Sequence, residues 1–249
     1  MPKIVFIEPE SPNLHIFSDF PLPRLGSLIL GTMMLRRGWE VEVFVESLRR
    51  VDYDLIAGAD LVGISTITST APRAYAIADK IRAMGVPVLM GGPHVTYLAD
   101  EALEHADYII RGEGEAALTA FIDAWVGGRD FSAVPNLSLK EDGRVVHHPM
   151  LPMEKNLDVI PYPDLSLIKP DPGRHKFTPP IPVQTSRGCP FDCSFCSVTG
   201  MFGRKYRFRS TENIIGELRG YNRRGTAVFF YDDNFAADRN RTKELLQAM

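Results

Sequence analysis

All the cysteines of the chain, Cys189, Cys193 and Cys196, lie in one stretch, SRGCPFDCSFCSVTG (186–200), with the spacing CxxxCxxC. Three thiolates on one short loop can each bind a corner of a cubane 4Fe-4S cluster, which leaves the fourth iron without a protein ligand. An open iron is a place to bind and reduce a substrate. The missing fourth cysteine therefore points to a catalytic cluster rather than a pure electron carrier. Gly188 and Pro190 suit a tight loop, and Phe195, just before the third cysteine, is placed to shield a cluster from water. Other chemistries compete for the same thiols. A zinc site completed by His94 or His175 is one, although zinc sites usually pair two separated knuckles rather than use one loop. A Cys193–Cys196 redox disulfide is another, and buried inert thiols are a third. An odd, clustered set argues against a secreted disulfide framework.

Further candidates lie at strand ends. FFYDDNF (229–235) puts Asp232 and Asp233 where a strand stops. Successive side chains point to opposite faces, so only one carboxylate can face a ligand well. The alternative is that both cap the next helix. In the first half, VGISTITSTAPRA carries Ser65, Thr66 and Thr68, LMGGPHVT carries Gly91, Gly92, His94 and Val95, and RGEGE carries Gly112 and Glu113. Small hydroxyls beside a helix start and paired glycines let a backbone approach a large planar ligand or its nucleotide tail. Glycine-rich loops after parallel strands also serve flavins and nucleotides, and loop chemistry by itself leaves that reading open.

The elements that must position these residues alternate. Strands are predicted at 3–9, 40–45, 60–66, 86–92 and 107–115, with helices at 24–38, closed by Gly38, at 71–85, with Pro72 in its first turn, and after Glu115. Five strands alternating with helices predict an α/β, Rossmann-like (flavodoxin-like) parallel sheet, whose ligands lie beyond the carboxyl ends of the strands. NLSLKEDGRVVHH (136–148) reads as a hairpin turning at Asp142 and Gly143, and nine prolines between residues 149 and 182 mark an ordered connector. IPVQTS, the helix capped by Ser210 or Thr211, and TAVFFYDDNF then begin a second strand–helix unit. The boundaries expected are 1–130 for the first domain, 131–180 for the hairpin and connector, and 181–249 for the second domain. The apolar stripe at 28–35 reads as core. The basic run GRKYRFRS, with Arg219, Arg223 and Arg224, reads as a solvated face rather than a substrate contact.

A formal charge of -3 with 45% hydrophobic residues gives no basic footprint for nucleic acid and is ordinary for a globular protein. No signal peptide or membrane-length apolar run is present in the sequence, so a cytoplasmic location without membrane insertion is expected.

CPFDCSFC resembles the CxxxCxxC motif of the radical S-adenosylmethionine superfamily, including the aromatic residue before its third cysteine. The first half resembles the cobalamin-binding domain of that superfamily's B12-dependent branch, and the likeness covers nearly the whole chain. The resemblance implies that a 4Fe-4S cluster on Cys189, Cys193 and Cys196 chelates S-adenosyl-L-methionine and cleaves it to a 5'-deoxyadenosyl radical. It places Phe195, Asp232 and Asp233 at the S-adenosylmethionine site, one carboxylate pairing with the methionine amino group. It places Ser65, Thr66, Thr68, Gly91, Gly92, His94, Val95, Gly112 and Glu113 around cobalamin. The expected chemistry is methyl transfer to an unactivated carbon or phosphorus of a small-molecule substrate, or a ring closure or rearrangement. A flavodoxin or ferredoxin would serve as electron donor. One departure stands out: the Asp-x-His-x-x-Gly cobalt-ligating segment of methionine synthase-type domains is lacking, and His15 stands in no such context. The barrel of this superfamily has about six strand–helix units, so the resemblance also implies a chain cut within a partial (β/α)6 barrel and not competent for turnover alone. The competing class is a non-catalytic cobalamin- or nucleotide-binding module with a structural metal loop.

Overall fold

The computed structural model describes residues 1–12, 22–172, 180–221 and 227–249. His15, His175, Arg223 and Arg224 lie outside the described residues. The chain forms two compact units: Met1–Pro152 with Pro163–Lys176, and Met153–Tyr162 with Phe177–Met249.

The first unit runs β1 (Lys3–Glu8), α1 (Leu25–Arg36), β2 (Glu40–Val45), α2 (Tyr53–Ile56), β3 (Leu61–Ser65), α3 (Ala71–Ala83), β4 (Val88–Gly91), α4 (Pro93–Tyr97), α5 (Ala99–Ala102), β5 (Tyr108–Ile110), α6 (Gly114–Val126), β6 (Leu137–Glu141) and β7 (Arg144–His147). The sheet order is β2-β1-β3-β4-β5-β6-β7. Its first five strands are parallel, and β6 and β7 join antiparallel. The five predicted strands are all present, and the hairpin lengthens their sheet. Asp142 and Gly143 both hold positive φ, 48° and 76°, which a two-residue turn between twisted strands requires.

Strands buried on both faces need two apolar layers. Ile4, Phe6, Val41 and Val43 pack with Leu28, Met34 and Phe121 of α1 and α6. Val5, Ile7, Val62 and Ile64 pack with Ile77 and Ile81 of α3. The stripe at 28–35 is thus core, apart from Leu35, which is exposed.

Part of the proline-rich segment closes the first layer. Leu167 is 4% exposed and its Cδ1 lies 3.1 Å from the Cβ position of Gly31, against Val41 and Val43. The Asp164 N–H donates to Thr32 Oγ1 at 2.7 Å, and Ile168 bridges to Val43. Leu167→Ala is expected to lower the unfolding free energy of this unit by about 2–4 kcal/mol, the cost of a buried leucine truncation. Urea denaturation followed by tryptophan fluorescence checks it, and no change in midpoint would place the segment outside the core.

The second unit contains β8 (Ile181–Val183), β9 (Ser186–Arg187), α7 (Val198–Phe202), β10 (Arg207–Phe208), α8 (Thr211–Gly220), β11 (Val228–Phe230) and α9 (Arg239–Ala248). β8 and β11 pair in parallel, while β9 and β10 pair antiparallel and bracket residues 188–206. Ser210 caps α8 by accepting the Asn213 N–H at 3.1 Å. The basic run is a solvated face at Arg204 and Lys205, which are exposed, and turns inward at Arg207 and Arg209. Arg209 pairs with buried Glu217 and donates to the Gln184 carbonyl, and Arg207 donates to the Phe202 and Glu154 carbonyls. Arg219 is exposed.

Candidate active site

In the second unit the cysteine loop leaves β9 through Gly188, at φ +87°. A Cβ there would stand 2.8 Å from the Phe202 carbonyl and 3.0 Å from that of Gly203, so only glycine lets the loop fold onto the end of α7. The Cys189 N–H donates to the Gly203 carbonyl at 3.1 Å, and the Cys196 N–H to the Cys193 carbonyl at 3.0 Å. All three thiols are free; Cys193 is exposed, and Cys189 and Cys196 are half-buried. Among the described residues no three His, Cys, Asp or Glu side chains converge on a single ion. Phe195, between Cys193 and Cys196, is 90% exposed.

The two carboxylates after β11 have separate roles. Asp232 ties the two strand ends together: its oxygens accept from Thr185 N at 3.1 Å, Thr185 Oγ1 at 3.0 Å and Ser186 Oγ at 2.5 Å. Burial raises the Asp232 pKa, against the pull of those hydrogen bonds. Asp233 reaches solvent and receives no hydrogen bond from a described residue. Its pKa is raised first by desolvation and then by the charge of Asp232. Neither caps the next helix. Asp238 does, accepting the Asn240 and Arg241 N–H groups at 3.1 Å.

In the first unit, the loops after β3, β4 and β5 are stitched into one surface at the carboxyl edge. Thr66 N–H and Oγ1 both donate to the Gly91 carbonyl at 2.9 Å. Thr96 Oγ1 donates to the Gly92 carbonyl at 2.9 Å and accepts the Gly112 N–H at 3.0 Å. Thr66 is fully buried and its hydroxyl is committed to this stitch, so it does not present a free donor. Val95 is fully buried among the apolar residues under the sheet, so it is core rather than ligand-facing. His94 is 7% exposed, with its ring nitrogens 3.3 Å from Thr68 Oγ1 and 3.1 Å from the Tyr75 hydroxyl. Both nitrogens are thereby engaged, with Thr68 after β3 and Tyr75 of α3. Ser65, Gly91, Gly92, Gly112 and Glu113 are half-buried along the edge, and Thr68 is exposed there.

Sequence reading missed Thr96, and also two acidic residues at the ends of β1 and β2. Buried Glu8 accepts the Arg24 N–H at 2.8 Å, and buried Glu46 pairs with Arg73. An acid with an arginine sixteen or more residues away carries no local pattern that would flag either pair.

Gly92 has φ +102° and ψ 176°, and an added Cβ would lie 2.5 Å from the Thr66 carbonyl oxygen. Gly92→Ala is expected to cost about 2–3 kcal/mol of stability through backbone strain and this clash. Thermal unfolding measures it, and a melting temperature equal to that of the unaltered protein would contradict the assigned loop conformation.

A flavodoxin-like strand order with its loops stitched at the carboxyl edge, followed by a strand-anchored three-cysteine loop, defines a cofactor-binding α/β protein with a metal-cluster segment. Residues 18–122 match the B12 binding domain family and residues 183–249 match the Radical SAM superfamily. The chain belongs to the radical SAM superfamily, in the branch that carries a B12-binding domain. It is 36% identical over 193 residues to an uncharacterized methyltransferase of Pyrococcus horikoshii, covering 75% of this chain and 42% of that protein. It is 32% identical over 251 residues to the bacteriochlorophyllide d C-12(1)-methyltransferase of Chlorobaculum tepidum, covering 99% of this chain and 52% of that protein. The chain thus spans about half the length of these relatives or less. Its fold is similar to that of the radical S-adenosylmethionine methyltransferase TsrM of Kitasatospora setae, a structure with cobalamin and a [4Fe-4S] cluster bound. That match has a TM-score of 0.79 and 21% identity, and covers 99% of this chain and 52% of that one. The architecture is a Rossmann-like sheet followed by the first strands of a partial barrel. No helix among the described residues is long and apolar enough to cross a membrane.

Proposed function

We propose that the chain is the cofactor-binding part of a cobalamin- and S-adenosylmethionine-dependent methyltransferase that acts on an unactivated centre of a small molecule. The observation that carries this reading is the set of three free thiols on a loop anchored to paired strands, in a chain whose first unit is a B12-binding sheet. Several relatives named as methyltransferases support methyl transfer, and relatives named as anaerobic magnesium-protoporphyrin IX monomethyl ester cyclases make ring closure the second reading.

Cys189, Cys193 and Cys196 would hold the cluster. When bound, the cluster supplies one electron for reductive cleavage of S-adenosylmethionine, and cobalamin supplies a methyl carrier. Asp233 is the carboxylate left to pair with the methionine ammonium, since Asp232 is consumed in tying the strand ends. Phe195, its ring clear of protein packing, offers an apolar face to the adenosyl group. At the sheet edge, Ser65, Thr68 and Glu113 supply polar groups, and Gly91, Gly92 and Gly112 let the backbone approach cobalamin closely. A reducing cytoplasm, where thiols stay free, and a flavodoxin or ferredoxin donor fit this assignment.

Anaerobic reconstitution with iron, sulfide and hydroxocobalamin tests the reading. The expected preparation carries about four iron per chain, gives a cob(II)alamin signal on reduction, and converts S-adenosylmethionine to 5'-deoxyadenosine when the full-length protein is assayed. Uptake of zinc but no iron would overturn it.

A further inference from the structure

Within the second unit, one hydrogen-bonded chain joins the carboxylate segment to the cysteine loop. The Asn234 Nδ2 donates to the Tyr206 hydroxyl at 3.2 Å, and that hydroxyl lies 3.7 Å from Cys189 Sγ. The Asn234 amide nitrogen is a donor only, so it takes an acceptor lone pair of the phenol oxygen and leaves the phenol O–H free. A Cys189 thiolate, with no proton of its own, can then only accept from that O–H. Tyr206 is held for this contact: it stands one residue before β10, and its ring stacks on that of Phe208 at 5.6 Å between centroids. Asn234 follows directly on Asp233, the carboxylate that no described residue satisfies.

From this geometry we infer that Tyr206 is a positioning residue, donating a hydrogen bond to the Cys189 thiolate and so setting the redox potential of the bound cluster, with Asn234 orienting its hydroxyl. This inference rests on the proposed cluster assignment and adds to it a residue that holds no metal. A donor aimed at a ligating sulfur stabilises the reduced state, which carries one more negative charge, and therefore raises the potential.

The test has two arms. In reconstituted protein, Tyr206→Phe is expected to keep its iron and to lower the cluster midpoint potential. The reduced-to-oxidised ratio at a fixed poise should fall roughly three- to tenfold, tenfold being about 59 mV for a one-electron couple. Asn234→Ala should shift it in the same direction by less. Electron paramagnetic resonance at controlled potentials reads both. In iron-free protein, the rate at which iodoacetamide alkylates Cys189, resolved by peptide mass spectrometry, should fall several-fold in Tyr206→Phe, because the thiolate loses its donor. An unchanged potential at full iron content overturns the inference, and so does an unchanged alkylation rate. Iron lost from Tyr206→Phe would overturn it too, in favour of a structural role. Failure of the unaltered protein to bind any cluster, with the alkylation effect intact, would instead sink the cluster assignment while leaving the Tyr206–Cys189 bond standing.

Discussion

Cys196→Ala is expected to reduce iron from about four per chain to less than one, and to abolish 5'-deoxyadenosine formation by the full-length protein, because a cubane with three protein ligands does not survive losing one of them. The first unit should be untouched. Its core contains no cysteine, and the urea midpoint of its sheet should stay within error of the unaltered protein. Paired measurements of iron by colorimetry and product by chromatography decide the matter. Full iron content, or an undiminished cleavage rate, in the variant would show that Cys196 is not a ligand. Cys196 is half-buried while Cys193 is exposed, and the turn onto Cys193 is closed by a backbone N–H that alanine and serine both keep, so a loss of iron in either variant reports the sulfur rather than the turn.

The adjacent carboxylates should respond in opposite ways. Asp232→Ala removes the acceptor for Thr185 N, Thr185 Oγ1 and Ser186 Oγ and leaves these buried donors unpaired. The expected cost is about 2–4 kcal/mol, with loss of the β8 and β11 ends as a platform. Asp233→Asn breaks no described hydrogen bond. The Asp233 pKa is raised in the folded chain, so the folded state binds its proton more readily than the unfolded state does. That contribution is favourable below the unfolded pKa and is lost as pH rises through the folded one, so at neutral pH the charge opposes folding. Asp233→Asn should accordingly leave the melting temperature unchanged or slightly raised, keep full iron, and weaken S-adenosylmethionine binding roughly tenfold or more by removing one side of an ion pair. Isothermal titration with S-adenosylmethionine, run beside thermal unfolding, reads both. Unaltered affinity in Asp233→Asn, with weakened affinity in a still-folded Asp232→Asn, would reverse the assignment.

Why some of this was legible in the sequence and some was not follows from the range of the interactions. Local signals carried far: strand β2 falls where EVEVFV alternates, and α3 begins beside Pro72 and stops before Gly85. The turn at Asp142 and Gly143 was readable because both positions demand positive φ. The cysteines were readable as a set because their spacing lies within one loop. The division of labour between Asp232 and Asp233 was not, since it depends on Thr185 and Ser186, some forty-six residues earlier. GGPHVT read as a ligand-facing loop, yet it opens the short helix α4 and turns Val95 inward, because Gly92 redirects the chain in a conformation that side chains do not adopt. The basic run was legible at Arg204, Lys205 and Arg219, which are exposed, but not at Arg209. Charge density marks a surface only when no acid or carbonyl waits inside, and Glu217 and the Gln184 carbonyl do.

The placement of Leu167 bears on how the protein can be cut. The chain leaves the first unit after Pro152, contributes residues 153–162 to the second, and returns to lay Leu167 over α1 and β2 before leaving again. No single scission therefore separates the units cleanly. A fragment ended at the sequence-level boundary near residue 130 loses the hairpin and exposes the edge of β5. One ended at Pro152 keeps the sheet but leaves Gly31, Val41 and Val43 facing an empty slot. Ending the fragment at Pro172 retains the plug and the whole apolar layer. For expression, crystallisation or cobalamin titration of the first unit alone, the stopping point within those twenty residues decides whether the product is a sealed domain or one with an adhesive seam.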